Sequence, residues 1–236
     1  MLTVLITPLY NLFVFLLSVV PGGSAGLAII ALTLLMRIVL YPLFASSIRT
    51  QMGMQAMQGE MDAVNKKYKD DTEALTRARI ELMRRYKVRP LSAVFALIVQ
   101  FGLLISLYWA LFREGFPTIN QTLLYSFVHA PSAVNTAFFG LNLLAPRDLL
   151  LAVLVAATQW AAIYLTLKRT NTGPVAPEQA QVRRLQSGFM LWSMPVLIGV
   201  ISFSFPGAVG LYFVVTNLFS VLQEWIIRRH FKIQIN

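Results

Sequence analysis

Residues Gly26 to Phe44 read GLAIIALTLLMRIVLYPLF, an apolar run long enough to cross a bilayer that carries one arginine, Arg37, near its middle. A guanidinium at that depth costs about 2.5 to 3.5 kcal/mol on insertion scales, so such residues usually face a bundle interior or a water-filled cavity. Snorkelling is the simpler alternative. With the helix ending at Ser47, however, Arg37 lies ten residues from that end, roughly 15 Å at 1.5 Å per residue, which is beyond comfortable reach. Two readings of Arg37 stand: a wet functional cavity, or a tie between helices through serines and carbonyls.

The rest of the chain has the composition of a polytopic membrane protein, with 57% hydrophobic residues, 13% charged residues and a mean hydropathy of +0.65. Zero cysteines exclude disulfides, thiolate metal sites, cysteine nucleophiles and a lipoprotein anchor. The first twenty residues contain no Lys or Arg, and so lack the basic start of a secretory signal and the arginines of a transit peptide.

Upstream of the arginine run, LTVLITPLYNLFVFLLSVV (residues 2–20) is apolar but interrupted by Pro8 and Asn11 and followed at once by PGGS. It reads as an interfacial helix within an extracytoplasmic segment, residues 1–24. The remainder, 25–236, reads as a five-helix core. Its first span runs from Leu27 to Ser47 and leads into residues 48–90, which hold ten Lys/Arg and six Asp/Glu. There the helical pattern breaks near Asp70-Asp71-Thr72, where Asp71 or Thr72 caps a second helix, so an antiparallel hairpin is expected. Met57, Met61 and Val64 on one arm face Leu75, Leu82, Met83 and Tyr86 on the other. A second span, Leu91 to Phe112, closes on Tyr108 and Trp109 before Arg113 and Glu114. Residues 115–148, with three prolines and almost no charge, suit an outer loop with interfacial helices. A third span, Leu149 to Leu167, opens a polar loop at 168–188. The final apolar stretch divides at Ser204-Phe205-Pro206-Gly207 into spans Phe189 to Phe205 and Gly207 to Ile227.

Charge sets the expected orientation. The proposed cytosolic hairpin, loop and tail carry 10, 4 and 3 Lys/Arg, while the outer loop carries Arg113 and Arg147 alone. That asymmetry predicts five spans with the N-terminus outside and the C-terminus cytosolic. No phosphate loop, HExxH or GxSxG is present, and His129 and His230 lie far apart in sequence, so neither an enzyme nor a metal site is expected.

Four spans carry a strongly polar residue at similar depth: Arg37, Gln100, Gln159 and Asn217, each eight to ten residues from the cytosolic end of its span. At 1.5 Å per residue they form a candidate layer roughly 12 to 15 Å deep, to which Thr33 and Thr216 add hydroxyls. Amides also serve simply to glue membrane helices together. No acidic residue lies in a membrane core, since Glu224 sits near the cytosolic end of its span. Arg37 is therefore solvated by water, amides or a visiting anionic group, and a proton relay, which would need acids, is disfavoured. In the hairpin, Met52, Met54, Met57 and Met61 fall within ten residues. Methionine suits transient contact with varied apolar segments, although hairpin core is the plainer reading. The basic residues suit ribosomal RNA, anionic lipid or plain solvation.

Three motifs, GLAIIALTLLMRIVLYPL, LIVQFGLLISLYWAL and MPVLIGVISFSFPGAVGLYFVVTNLFSVLQ, closely resemble the YidC/Oxa/Alb membrane protein insertases, and the resemblance covers nearly the whole chain. It implies an all-α membrane protein whose arginine lies in a hydrophilic groove open to cytosol and lipid. Gln159 in Thr-Gln-Trp, and Tyr212 and Phe213 in Leu-Tyr-Phe, match groove positions. Where many members have Cys-Leu-Pro and Gln-Met-Pro, this chain has Val-Phe-Ala and Gln-Phe-Gly, and Phe213 stands where Trp or Tyr is common. The implied function is that of an insertase and chaperone in the plasma (inner) membrane of a prokaryote, with no cofactor and no covalent chemistry. Its implied partners are nascent membrane-protein clients, the bilayer, the ribosome and a secretion channel, and a monomer is compatible with the pattern. The large extracytoplasmic domain and extra first span of Gram-negative members are not in the sequence as read. Two rivals make different demands. An anion or small-solute transporter using Arg37 requires inverted repeats, and an intramembrane hydrolase requires a membrane-depth base; neither is legible.

Overall fold

A computed structural model describes residues 2–113, 116–170 and 177–230. The protein is an all-α, multi-pass membrane protein, whose described residues include four helices long and apolar enough to cross a bilayer, or five spans if a bent helix pair counts as one.

Helix α1 (Leu2–Val19) is continuous through Pro8. Its buried face, Ile6, Tyr10, Phe13, Val14 and Leu17, repeats at helical spacing, so an apolar stripe rather than overall apolarity decides its packing. Asn11 does not interrupt the helix, contrary to the sequence expectation. Its amide donates to the Thr7 carbonyl at 2.9 Å and the Leu123 carbonyl at 2.8 Å, and its Oδ1 accepts from the Tyr125 amide at 2.7 Å. The residue is a tie from α1 to the loop after the second span. Gly23 (φ 58°) then turns the chain so closely that a Cβ would lie 2.1 Å from the Ala133 carbonyl oxygen.

The arginine span is not one straight helix from Leu27 to Ser47. Helix α2 (Ala25–Val39) stops at Leu40, and α3 (Tyr41–Ala56) restarts at an angle of 65°. Pro42 supplies the reason: it has no N–H to offer the Ile38 carbonyl, and its ring crowds that carbonyl. Helix α3 then runs on into the hairpin, whose arms continue as α4 (Gln58–Lys67) and α5 (Thr72–Arg85). Asp71 caps α5, accepting from the Glu73 and Ala74 amides. Met57, Leu82, Tyr86 and Val88 form the hairpin core, with Met61 and Met83 against it. The base of the hairpin is stapled twice. Thr50 Oγ1 accepts from the Arg89 amide at 3.2 Å and lies 3.0 Å from Ser92 Oγ, and a Cβ at Gly53 would fall 2.7 Å from the Tyr86 carbonyl oxygen.

Helix α6 (Pro90–Tyr108) begins on its proline and ends in a π-helical turn, Trp109–Arg113. The expected interfacial helices after it are not formed. Among the described residues of that stretch there is one 3₁₀ turn, Gln121–Leu123, and a two-stranded hairpin, β1 (Ala137–Phe138) with β2 (Leu141–Asn142). Prolines at 117, 131 and 146 limit helix length, and the chain instead spreads its apolar side chains over neighbours. Val128 packs with Ile6, Tyr10 and Val14 of α1, and Leu143 with Phe13 and Leu17.

Three spans complete the fold: α7 (Leu149–Thr170), α8 (Pro177–Ser204) and α9 (Gly207–His230). Helix α8 begins well before Phe189, so much of the polar loop expected at 168–188 is helical. Residues 171–176 of that loop, Glu114, and Lys232 of the tail lie outside the described residues. Small residues bring these helices together. A Cβ at Gly199 would sit 3.2 Å from that of Ala156, and one at Gly210 would sit 2.8 Å from Ser202 Oγ. The main core (Phe13, Leu17, Ala28, Ile29, Leu32, Leu107, Leu111, Leu143, Leu211, Tyr212) gathers where α1, α2, α6 and α9 meet the loop. It takes in the first turns of α2, and Arg37 lies at the other end of that helix.

Candidate functional site

Because α2 ends at Val39, Arg37 stands in its last turn, just before the bend. The side chain is buried, at 6% exposure. The bend folds Phe44 back beneath it, so that the guanidinium carbon lies 4.4 Å from the ring centroid. A cation over an aromatic face gains on the order of 2 kcal/mol when desolvated, which offsets part of the cost of burial. Among the described residues Arg37 has no carboxylate partner. Ion pairs among them include Arg77 with Glu73, Arg85 with Glu60 and Arg228 with Glu224.

Around Arg37 is a small cavity of about 20 Å³, enough for one water centre. Its walls are Leu9 of α1, Leu32, Thr33 and Met36 of α2, Leu103 and Leu107 of α6, and Tyr212 of α9. The walls are mostly apolar, so what polarity the cavity has comes from Arg37, Thr33 and Tyr212. Thr33 Oγ1 donates to the Ile29 carbonyl at 2.7 Å. Gln100 of α6 reaches across and donates from Nε2 to Tyr212 Oη at 2.6 Å. Its Oε1 is buried without a partner. Thr216, one turn beyond Tyr212, is also buried, and its hydroxyl makes no bond of hydrogen-bonding geometry.

The expected layer therefore divides. Arg37, Thr33, Gln100 and Tyr212 come together. Asn217 turns to α7, where its Nδ2 donates to Thr158 Oγ1 at 3.2 Å. Gln159, the residue next to Thr158, does not line the cavity. Phe213 packs edge-on to Tyr212, 5.8 Å between centroids, at the margin of the main core. Sequence reasoning did not find Phe44, which reaches Arg37 only through the bend, or Thr158. It also passed over Thr166, which donates to Glu224 Oε2 at 2.6 Å while Arg228 Nε donates to Oε1 at 2.7 Å. The Glu224–Arg228 spacing of four on one helix was a readable signal for the second bond.

A second, larger concavity of about 510 Å³ lies beside the hairpin. Gln51, Met54 and Gln55 of α3, Met57 at its end, and Gln58 and Met61 of α4 form one side. Leu167 of α7 and Gln186, Ser187 and Met190 of α8 form the other. Of the four candidate methionines, Met54, Met57 and Met61 line this cleft. Met52 does not, and Met57 is also buried in the hairpin core. Gln186 and Ser187 fall in the stretch expected as a polar loop, and Met190 at the start of the span expected from Phe189.

A family model described as the 60Kd inner membrane protein matches residues 16–234. The chain belongs to the YidC/Oxa/Alb family. Among the curated members of that family it resembles, one named membrane protein insertase YidC, from Bordetella petrii, is 32% identical over 233 residues. The match covers 97% of this chain and 36% of that protein. A second of the same name, from Francisella tularensis subsp. novicida, is 30% identical over 210 residues, 89% of this chain and 33% of the relative. The chain thus spans about a third of the length of the YidC relatives it matches.

Proposed function

We propose that this protein is a membrane protein insertase and chaperone that receives newly made membrane proteins at the hairpin and passes their polar segments along a groove centred on Arg37. One observation carries the reading: a guanidinium buried to 6% exposure with no carboxylate beside it among the described residues. A buried cation tying helices together is ordinarily paired, because removing one partner of such a pair leaves an uncompensated charge. Here its company is the Phe44 ring, the Thr33 hydroxyl and the Tyr212 phenol, which Gln100 bonds from α6. Such a site suits a visiting carboxylate or peptide group once its walls part beyond their single-water spacing.

Gln159, Phe213 and Asn217 flank the path toward α7, and Met52, Met54, Met57 and Met61 stand on the hairpin where clients arrive. The Met/Gln cleft suits early capture, since its lining is uncharged and its methionines are flexible. Residues 1–24 lie at the outer interface in this reading, 25–236 form the insertase core, and the termini are out and in. The membrane is the inner membrane of a prokaryote. Ribosomes and a secretion channel are further partners, and the activity involves no covalent step. The test is photocrosslinking from positions 54 and 37 to stalled nascent chains of increasing length. Crosslinks are expected first at 54 and, in longer chains, at 37. Yields at both positions no higher than at lipid-facing Val153 would overturn the proposal.

A further inference from the structure

The segment between α6 and α7 contains no Asp, Glu, Lys or Arg from residue 116 to residue 146. Within it the β1–β2 hairpin is fixed to the first turn of α2. The Ala25 amide donates to the Asn135 carbonyl at 2.8 Å, and the Asn135 amide to the Gly23 carbonyl at 2.9 Å. Phe138 lies over Gly26 so tightly that a Cβ there would fall 2.3 Å from its ring. Phe138 pairs with Leu141, leaving Phe139 and Gly140 as a two-residue turn.

Both turn residues are left-handed, with φ of 49° and 79°, as a type I′ turn requires. The first position of that turn favours Asn, Asp or Gly, and a bulky side chain there is a true outlier. Yet Phe139 is 91% exposed, the most exposed large apolar residue among those described, and its ring lies edge-on to Phe138 at 4.7 Å. Neither packing nor turn preference accounts for the phenyl ring, and strain held at an exposed position points to a contact outside the chain.

The surroundings select that contact. The hairpin rests on Gly26, so Phe139 sits at the height where a membrane helix begins. Nearby segments expose Phe127 at 73% and Tyr125 at 39%, and α1 exposes Phe15 and Val19, all from uncharged sequence. The rim of a protein interface is polar, whereas aromatic side chains on an uncharged surface suit the headgroup boundary of a bilayer. We propose that the β1–β2 hairpin is a membrane anchor: Phe139 seats its ring in the interfacial zone of the leaflet nearest Gly26. Through the Phe138–Gly26 clamp it fixes the depth of α2, and so of Arg37, twelve residues and roughly 18 Å along that helix.

The test uses the full chain in phosphatidylcholine–phosphatidylglycerol liposomes, with one cysteine placed at exposed Ala137 and labelled with an environment-sensitive fluorophore. Native cysteine is absent, so labelling is unique. Nitroxide lipids labelled at the headgroup or high on the acyl chain are expected to quench the label several-fold more than one at Lys67. Phe139→Asn, which suits the turn better than phenylalanine, is expected to reduce that quenching at least twofold while the protein stays folded. A label shielded from aqueous iodide yet unquenched by lipid would assign the ring to a protein partner and overturn the proposal. So would quenching unchanged by Phe139→Asn.

Discussion

Arg37 is held by a ring and not by a carboxylate, and this leaves its charge uncompensated. At an effective dielectric constant near 20 a unit charge 4 Å away is worth about 4 kcal/mol, against about 1 kcal/mol in water, so the proposed role requires clients to be discriminated by the charge of the segment that must cross. In reconstituted liposomes Arg37→Lys is expected to retain most activity. Arg37→Ala is expected to slow clients with acidic translocated tails on the order of tenfold, about 1.4 kcal/mol, and neutral tails less than twofold. Insertion rate at equal protein abundance is the readout, and equal slowing of both tails would leave the residue a structural one. The burial of Arg37 was legible because an arginine within a nineteen-residue apolar run has few explanations. Gln159 was not, because counting residues from a helix end gives depth but not rotation. Neighbours on a helix point about 100° apart, which is why Thr158 meets Asn217 and Gln159 does not.

Among the elements, the hairpin can now be separated into parts with different tasks. Met57 is 5% exposed in its core, whereas Met54 is 50% exposed and faces Met190 across the cleft. Met57→Ser is expected to destabilise the hairpin by about 1 to 3 kcal/mol through lost burial, seen as faster amide exchange in α4 and α5. Met54→Ser combined with Met190→Ser is expected to leave that exchange unchanged and to slow client capture several-fold, measured by crosslinking yield at short chain lengths. The hairpin itself was readable from Asp71 and the apolar positions on each arm. The early start of α8 is masked in the sequence by the loop-like charges Glu178, Arg183 and Arg184. Yet PEQAQVRRLQ is rich in helix formers behind a proline at the first helical position, so propensity carried the signal. The bend at Leu40 was equally open to reading from Pro42, but apolarity continuing past it disguised the break.

For the whole molecule, the absence of native cysteine makes orientation directly measurable. Cysteines at Lys67 and Gln181 are expected to react with an impermeant thiol reagent from the cytosolic side only, and one at Gln121 from the opposite side only. Labelling of position 67 from outside would invert the map. Span number was legible in the apolar runs; how tightly each span is held was not, since that depends on which elements meet. Helix α6 shows the difference. It packs on α3 at one end and on α1 at the other, and between them Val94, Phe95, Leu97, Ile98 and Phe101 are all at least half exposed. The Gln100–Tyr212 hydrogen bond joins its middle to α9. A rod supported at its two ends yields most easily by bowing, and the side that would widen is the one lined by Leu103 and Leu107, next to Arg37. Gln100 and Tyr212 then act as the catch on a door. Tyr212→Phe would release it, and a cysteine at Leu103 is expected to react several-fold faster with an aqueous thiol reagent in that variant at unchanged protein abundance. Because the first turn of α6 is stapled to the hairpin through Thr50, a load applied to the hairpin arrives at the hinge of that door.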